Sequence, residues 1–565
     1  MENPKCKKCG HIMVLKTKGK RKFYACSQYP KGCAGSFQPY KGQTEKIIRP
    51  DTVEKSSFPL TAQQLRIHDE FENGYGNLMI NATAGSGKSS TSILGTQYFP
   101  EHFVVGFISF AKDITEENMK KTPQHIHCST FNSLGGQNVR SKLKTKFKDD
   151  KLYVLFNHLV EEAYPDNKDK EIVKDLKNNA PTAVKIVEHL KNYMLQPTDE
   201  SIDWICNKHN LEIDAEGDCD QILRYAIEAL FEESITTTEI HDFSDQIYWC
   251  AVDKVDINEN EMFSIPCKKF DILIVDEGQD TNRAQVEMIK RSLKKTGRLI
   301  IVGDKFQSIM GFRGADTFAM ENIRYEFGCK ELPLTISFRC SKAVGKAVNR
   351  EFPHIEFSVL ENAPEGIEEW IKQSQLENMV KPGNFVLCRN NAPLVKPCFS
   401  LLKKGIKAVI LGRNIGEDLT GIISRVEKKY YCESIYDLLE GLEDYRDNQT
   451  MKLIARKMEM AVEALNDKID TIIAISENAD TIQELIQKIN DLFVENSVEA
   501  VQFSSIHKSK GKESDTVFII KEELMPSPRA LTDEEIQQEE NVKFVAYTRA
   551  KKNLYHVTTE VTTED

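Results

Sequence analysis

Short runs of apolar residues recur along the chain, and each ends on polar or glycine-rich residues. Asn77–Asn81, Phe103–Ser109, Ile126–Ser129, Phe270–Val275 and Arg298–Asp304 have the continuous apolar character of strands covered on both faces. A second group follows the same pattern: Asn384–Arg389, Ala408–Leu411, Ala500–Ile506 and Thr516–Ile520. Residues 140–235 and 430–497 change period. Leu152–Ala163 and Ala183–Met194 repeat apolar positions at helical spacing among many Lys and Glu, and 430–497 is helical and acidic. The pattern predicts an α/β chain built from two parallel-sheet units, each interrupted by a helical insertion. Residues 41–57 show no apolar period and read as a linker. Ahead of them, Met13–Leu15 and Lys22–Ala25 predict short strands around the basic turn Lys16–Arg21.

Length supports several units, since 565 residues at about 150 per domain suggests three to four. A hydrophobic fraction of 40% is enough for real cores. The net charge of −11 hides an uneven spread: residues 1–50 carry +10 and the remainder −21. A basic head on an acidic body predicts that the head meets a polyanion. No run approaches the roughly 18 apolar residues of a membrane span, and the polar, cysteine-bearing N-terminus does not read as a secretory leader. The fourteen cysteines are not spaced as a disulfide framework, so a reducing compartment such as the cytoplasm is expected. Asp214–Asp220 has a superficial calcium-loop look, but its sixth position is Cys219 and its twelfth Tyr225, so a helix-capping turn is expected.

The stretch Ala82-Thr83-Ala84-Gly85-Ser86-Gly87-Lys88-Ser89-Ser90 sits between a predicted strand and a predicted helix. Glycines let the backbone curl its N–H groups toward phosphate oxygens, and the helix N-terminus adds its positive end. Lys88 can reach the β- and γ-phosphates and the Ser89 hydroxyl can ligate Mg²⁺. Ala82 replaces the usual first glycine. Phe270–Val275 delivers Asp276 and Glu277 to the end of a buried strand, where one acid can hold Mg²⁺ and the other can deprotonate an attacking water. Gln64, just ahead of the phosphate-loop strand, can read adenine with its amide. Gln307 can sense a γ-phosphate, Phe312 can stack on a base, and Arg339 offers a further cation. Cys6, Cys9, Cys26 and Cys33, spaced C-x2-C-x16-C-x6-C, form a candidate Zn²⁺ site. Residues 6–37 resemble the zinc ribbons at the C-terminal end of bacterial type I topoisomerases, which bind single-stranded DNA. Phe23, Tyr24, Tyr29 and Phe37 among lysines suit base stacking.

Taken in order, Gln64, Lys88-Ser89, Asp276-Glu277-x-Gln-Asp280, Gln307-Ser-Ile, Phe338-Arg339, His507-x-x-Lys-Gly-x-Glu513 and Tyr547-Thr-Arg549-Ala resemble the motif set of UvrD/Rep/PcrA-type superfamily 1 helicases. The resemblance covers about residues 58–560. It implies two RecA-like domains with ATP between them, a first built from 58–139 and 236–335 and a second from 336–429 and 498–565. The insertions 140–235 and 430–497 would match in position and character only, after a ribbon at 1–40 and the linker. Carried across, Gln64 and Phe338 would hold adenine, Lys88, Ser89 and Asp276 the phosphates and Mg²⁺, and Glu513 the ribose. Glu277 would be the general base, and Gln307, Arg339 and Arg549 would touch the γ-phosphate. Phe110, Thr130, Phe131, Asn132, Phe312, Arg313 and His507 stand at positions that contact single strands in the family. Met310 departs from its usual aromatic, and 430–497 is short for its regulatory subdomain.

The resemblance implies an ATP-driven 3′→5′ single-strand DNA translocase and helicase acting at single-strand/duplex junctions, with replication or repair proteins as possible partners and no membrane role. Two other readings stand beside it. One is a DNA-stimulated ATPase that strips proteins from single strands and separates duplex poorly. The other is a zinc-ribbon binding module on a degraded ATPase, which intact Lys88, Asp276, Glu277 and Arg549 disfavour. The residues after Ala550 are too few for a nuclease domain, so a helicase–nuclease fusion is not expected.

Overall fold

The computed structural model describes residues 59–558 apart from 166–168, 210, 212, 214, 216–217, 254, 259–260, 310–316, 456–457 and 495–498, together with the backbone of three N-terminal strands. Those strands, Met13–Lys18, Arg21–Cys26 and Phe37–Pro39, form an antiparallel sheet, the first two in the hairpin expected around the basic turn.

The first large sheet holds β1 (Leu78–Ala82), β2 (Val105–Ile108), β3 (Ile126–Ser129), β4 (Phe270–Val275), β5 (Leu293–Gly303) and β6 (Lys330–Leu334). Its order is β6-β1-β5-β4-β2-β3, all parallel. Side chains alternate across it. Leu273, Val275, Leu299 and Ile301 face the core shared with the helical insertion. Ile272, Ile274, Ile300 and Val302 face a separate core against the helix Ala62–Asn73. Burial on both faces is why these strands read as continuous apolar runs rather than alternating ones.

The insertion carries helices Lys151–Ala163, Lys170–Tyr193, Asp199–His209 and Asp218–Thr236. In the longest, Leu176, Ala180, Ala183, Val187 and Leu190 recur every three or four residues on the buried stripe.

The second sheet holds β7 (Ile367–Lys372), β8 (Phe385–Cys388), β9 (Ala408–Leu411), β10 (Phe493–Val494), β11 (Val501–Ser505), β12 (Ser514–Ile520) and β13 (Ala550–Thr558). It is parallel in the order β7-β13-β12-β8-β11-β9-β10. A helical run, Arg413–Tyr430, Ile435–Ala455, Glu459–Ser476 and Ile482–Leu492, links β9 to β10. It begins at Arg413, ahead of residue 430, because Leu419, Ile422, Ile423 and Val426 already recur at helical spacing. Phe493–Val494 then rejoins the sheet edge beside β9.

The first insertion is fastened by a buried charge cluster. Asp245 lies between two ammonium groups, accepting from Lys151 at 2.7 Å and Lys191 at 2.7 Å, and all three side chains are at most 1% exposed. Lys151 also donates to the carbonyls of Ser234 and Thr237 and stands 4.7 Å from the Trp249 ring centroid. Burial pushes the Lys151 ammonium below its ordinary range, with Asp245 opposing. Asp245→Asn keeps the shape and removes the carboxylate that both lysines contact directly. The protein should lose about 3–5 kcal/mol, read as a lower urea midpoint with helical circular dichroism retained in native buffer. An unchanged midpoint would show that the cluster contributes no stability.

Candidate functional site

Because every strand of the first sheet runs the same way, their C-terminal ends bring the polar ends of the apolar runs to one edge. The loop after β1 curls through Gly85 at φ +71° and Gly87 at φ +80°. A side chain at Gly85 would place its Cβ 2.5 Å from the Cβ of Arg339, which comes from beyond β6. Gly87 faces Gln64 Nε2 and the Phe338 ring. The helix Lys88–Gly95 starts from Gly87 with no side-chain cap, leaving its first N–H groups directed at the loop. Thr83 Oγ1 is buried and has no hydrogen-bond partner among the described residues. An anion with several acceptor oxygens fits this cradle.

Acids from β4 and β5 face the loop. Lys88 Nζ pairs with Glu277 Oε2 at 3.0 Å, and Ser89 Oγ donates to Asp276 Oδ2 at 2.8 Å. Burial works against the Lys88 charge, yet Glu277, Asp304 and Asp276 outweigh it and hold the ammonium above its ordinary range. Burial, and then the neighbouring Glu277 charge, push Asp276 up to about 6. Burial alone would raise Glu277 too, but Lys88 and a 2.7 Å hydrogen bond from Gln279 hold it down at about 2. Glu277 has φ +53°, a left-handed conformation uncommon outside glycine, which aims its carboxylate back across the strand end. The Ser89 hydroxyl and the Asp276 carboxylate are hard oxygen donors at one point, the donor chemistry that suits Mg²⁺.

The second unit contributes cations. Arg549, 1% exposed, donates from Nη2 to Gln307 Oε1 at 3.3 Å and from Nη1 to the Lys512 carbonyl at 3.1 Å. Burial and the nearby Arg339 lower its guanidinium to about 10. Arg339 pairs with Glu513 at 2.6 Å, and the Phe338 N–H donates to the Gly85 carbonyl at 2.8 Å. Gln64 accepts from the Thr61 N–H at 3.0 Å and donates to Thr91 Oγ1 at 3.0 Å, so its amide is held in place rather than swinging free.

Four residues sequence reasoning left without a role belong here. Asp304 follows β5 as Asp276 follows β4, an acid directly after a buried apolar run, and that repetition was the available signal. It accepts from Gln307 Nε2 at 2.7 Å. Gln279 spans from Glu277 to the Asp304 N–H, which donates to its Oε1 at 3.0 Å. Lys510, of the second unit, pairs with Asp280 of the first at 2.6 Å.

The strand-contact residues are distributed differently. Phe110 is half-buried, and Thr130 caps the helix Phe131–Lys142 by accepting from the Ser133 N–H at 3.0 Å. Asn132 donates to the Phe243 carbonyl at 2.9 Å. Phe131, expected by its motif position among the strand-contact residues, is placed inward. It is 3% exposed in the core and meets Phe110 edge-on at 5.7 Å, because the helix start turns its ring inward. It supports Phe110 and offers no free face. His507 is half-buried, and burial, with Arg389 and Lys510 nearby, lowers its imidazole to about 3, which favours the neutral ring. Phe312 and Arg313, with Met310, lie outside the described residues, as do Cys6, Cys9, Cys33 and the Cys26 side chain. Among the described residues, no group of three or more His, Cys, Asp or Glu is arranged to hold a metal ion.

Residues 61–328 match the model of the UvrD/REP helicase N-terminal domain. The F-box DNA helicase protein 1 of Schizosaccharomyces pombe is 23% identical over 540 residues, covering 90% of this chain and 58% of that protein. The ATP-dependent DNA helicase Rep of Buchnera aphidicola subsp. Acyrthosiphon pisum is 23% identical over 384 residues, 64% of this chain and 50% of the relative. The ATP-dependent DNA helicase PcrA of Staphylococcus epidermidis is 31% identical over 127 residues, 22% of this chain and 17% of the relative. The chain thus spans little more than half the length of the first two of these.

Asp304 gives a pH signature. Burial pushes its carboxyl up to about 6, with Lys88 opposing. A raised acid contributes most below its unfolded value near 4 and loses that contribution as pH rises through the folded value. Asp304→Asn should therefore gain stability relative to the unaltered protein between pH 4 and pH 7, by on the order of 3 kcal/mol. Urea denaturation across that range checks it. Parallel stability curves would show that Asp304 titrates normally.

Proposed function

We propose that this chain, which carries a UvrD/REP helicase N-terminal domain at residues 61–328, is an ATP-dependent DNA helicase: two RecA-like domains that couple hydrolysis to 3′→5′ movement along single-stranded DNA and to unwinding at duplex junctions. The observation that supports it best is Arg549, whose guanidinium from the second unit bonds Gln307 of the first. A cation supplied across a cleft can act on a γ-phosphate only when the cleft is closed, which ties chemistry to domain motion.

In this reading Lys88 and the loop N–H groups bind the phosphates, Gln64 and Phe338 the adenine, and Glu513 the ribose. Ser89 and Asp276 hold Mg²⁺, which when bound offsets phosphate charge. Glu277 takes the proton of the attacking water. Its carboxylate is a weak base while Lys88 pairs with it at 3.0 Å. Phosphate oxygens compete for that ammonium, and losing the pair raises the proton affinity of Glu277 as substrate arrives. Gln279 keeps the carboxylate aimed throughout. Gln307, Arg339 and Arg549 then stabilise the charge that develops on the γ-phosphoryl group.

Phe110, Thr130, Asn132 and His507 line the strand path in this reading, with Phe131 behind Phe110, and Phe312 and Arg313 share that role by their place in the motif order alone. Zn²⁺ held by Cys6, Cys9, Cys26 and Cys33 would fix the N-terminal ribbon, whose antiparallel backbone strands are compatible with such a module. A basic head on an acidic body serves as a tether for single strands, and replication or repair is the setting this chemistry suits. The domain limits are those given by the motif order. The second reading, an ATPase that strips proteins from single strands, uses the same site and differs only in how poorly it opens duplex.

Glu277→Gln should retain nucleotide binding and lose about 10²-fold or more of DNA-stimulated ATP hydrolysis. Arg549→Ala should lose about 10³-fold. Near-normal turnover in either variant would remove that residue from the chemistry. Strand displacement on 3′-tailed against 5′-tailed duplexes tests polarity, and displacement of a bound protein without strand separation would favour the second reading.

Deleting residues 1–45 should weaken single-strand affinity while leaving hydrolysis at saturating DNA unchanged. A larger fall in turnover than in affinity would overturn the tether.

A further inference from the structure

At the foot of the first insertion the chain reads Arg140-Ser-Lys142-Leu-Lys144-Thr-Lys146-Phe147-Lys148, five cations with no acid, on a chain of net charge −11. Arg140, Lys142, Lys144 and Lys146 are exposed, and none makes an ion pair with a described residue. Among them Phe147 is 45% exposed. Its ring meets Phe243 at 4.8 Å and His241 at 5.6 Å between centroids, both at steep interplanar angles, and Phe243 is itself 52% exposed. The backbone is pinned as well. Lys146–Phe147 pairs with Ile240–His241 as a short parallel ribbon, with Lys146 N–H donating to the Glu239 carbonyl at 2.9 Å and Lys148 N–H to the His241 carbonyl at 2.8 Å.

A large aromatic ring left 45% exposed beside exposed lysines that make no ion pair with a described residue is poorly explained by folding alone. Burying Phe147 would gain apolar contact. Arg140 and Lys142 end the helix Phe131–Lys142, where cations complement the helix C-terminus, but the exposed Lys144 and Lys146 beyond it serve neither that helix nor a core. The same arrangement suits a chain of phosphates carrying flat, unstacked bases: lysines contact the backbone and the ring takes a base face. A duplex offers phosphates but keeps its base faces stacked inside, so Phe147 would have nothing to stack on. The patch is continuous with the expected strand path through Asn132, whose side chain bonds the Phe243 carbonyl at 2.9 Å.

We propose that Arg140–Lys148, with Phe147 as its stacking platform, is a second contact region for single-stranded DNA at the foot of the first insertion. It extends the footprint beyond the residues at the sheet edge. The inference rests on the helicase reading for the identity of the ligand, but its test reads binding alone.

The test uses the full chain and fluorescently labelled oligo-dT of increasing length, with anisotropy measured at several salt concentrations and no nucleotide. Lys142→Gln/Lys144→Gln/Lys146→Gln should weaken binding and reduce the slope of log affinity against log salt by about 2. Phe147→Ala should weaken binding by about tenfold with the slope unchanged. Both losses should vanish on oligonucleotides too short to span the two regions. Urea midpoints within error of the unaltered protein show that folding is intact. Equal affinity and slope in all three proteins would overturn the proposal. So would an equal loss from the Phe147→Ala variant on blunt duplex, which would mean that unstacked bases are not what the ring meets. If the unaltered protein binds oligo-dT and the patch variants behave as described, yet DNA does not stimulate hydrolysis, the helicase reading fails and the binding site stands.

Discussion

A single half-buried ammonium organises the electrostatics of the phosphate-loop edge. Lys88 sits among Glu277, Asp304 and Asp276, and its charge is what makes three carboxylates tolerable at the end of one sheet. Their burdens differ. Glu277, in direct contact, is held ionised, while Asp276 and Asp304 are pushed up to about 6 because burial outweighs what the lysine returns. The arrangement follows from the fold: parallel strands must end on the same edge, so an acid placed after β4 and another after β5 necessarily meet the loop after β1. An anion entering the loop takes Lys88 away from the acids. Their electrostatics then change together, as a coupled group rather than as independent residues.

The same lysine links the two units indirectly. Asp304 holds Gln307, and Gln307 accepts from Arg549. A second bridge runs from Lys510 to Asp280, and Asn541 donates to the Ser308 carbonyl at 3.1 Å. Each joins a strand end or adjoining turn of the first sheet to the second unit. Arg549 is a costly element here: fully buried, close to Arg339, and with a guanidinium driven to about 10. A buried cation bonded only to carbonyl and amide oxygens is under-compensated, and a negatively charged group in the cleft would relieve it. That makes closure and anion binding mutually favourable without a separate gating element.

Much of this was legible in the sequence. Buried strands announce themselves as continuous apolar runs, and the residues that follow them are the ones a parallel sheet gathers, so Lys88, Asp276, Glu277 and Gln307 could be placed before any coordinates. Asp304 obeyed the same rule and was missed as a functional residue because a lone acid after a strand carries no partner within its own stretch. Lys510 and Asp280 were missed because an ion pair across 230 positions leaves no local trace. The orientation of Phe131 was not legible for a different reason. An aromatic after a strand end can face the cleft or the core, and the helix phase set by the Thr130 cap decides which. The start of the second helical run at Arg413 was obscured by the polar, mixed-charge residues interleaved with its apolar stripe.

Charge finally constrains where a nucleic acid can lie. Between the two insertions and the second sheet is a cavity of about 530 Å³ lined by Arg389 and His507 but also by Asp418, Glu459, Glu463, Asp467, Glu534 and Glu539. Two of its cations are already committed: Arg389 is paired with Glu539 and Lys208 with Glu534, both at 2.7 Å or less. Since Glu534 also accepts from Thr317, one carboxylate ties the helix Asp533–Thr548 both to the first unit and to its insertion. A polyanion entering this cavity meets repulsion unless these pairs open, because displacing a carboxylate from a buried guanidinium leaves the carboxylate without its partner. Favourable attraction must come from cations that are not already paired. Among the described residues near the proposed strand path, the exposed Lys142, Lys144 and Lys146 are that kind of cation, so on a chain of net charge −11 they are where a polyanion would meet the least repulsion.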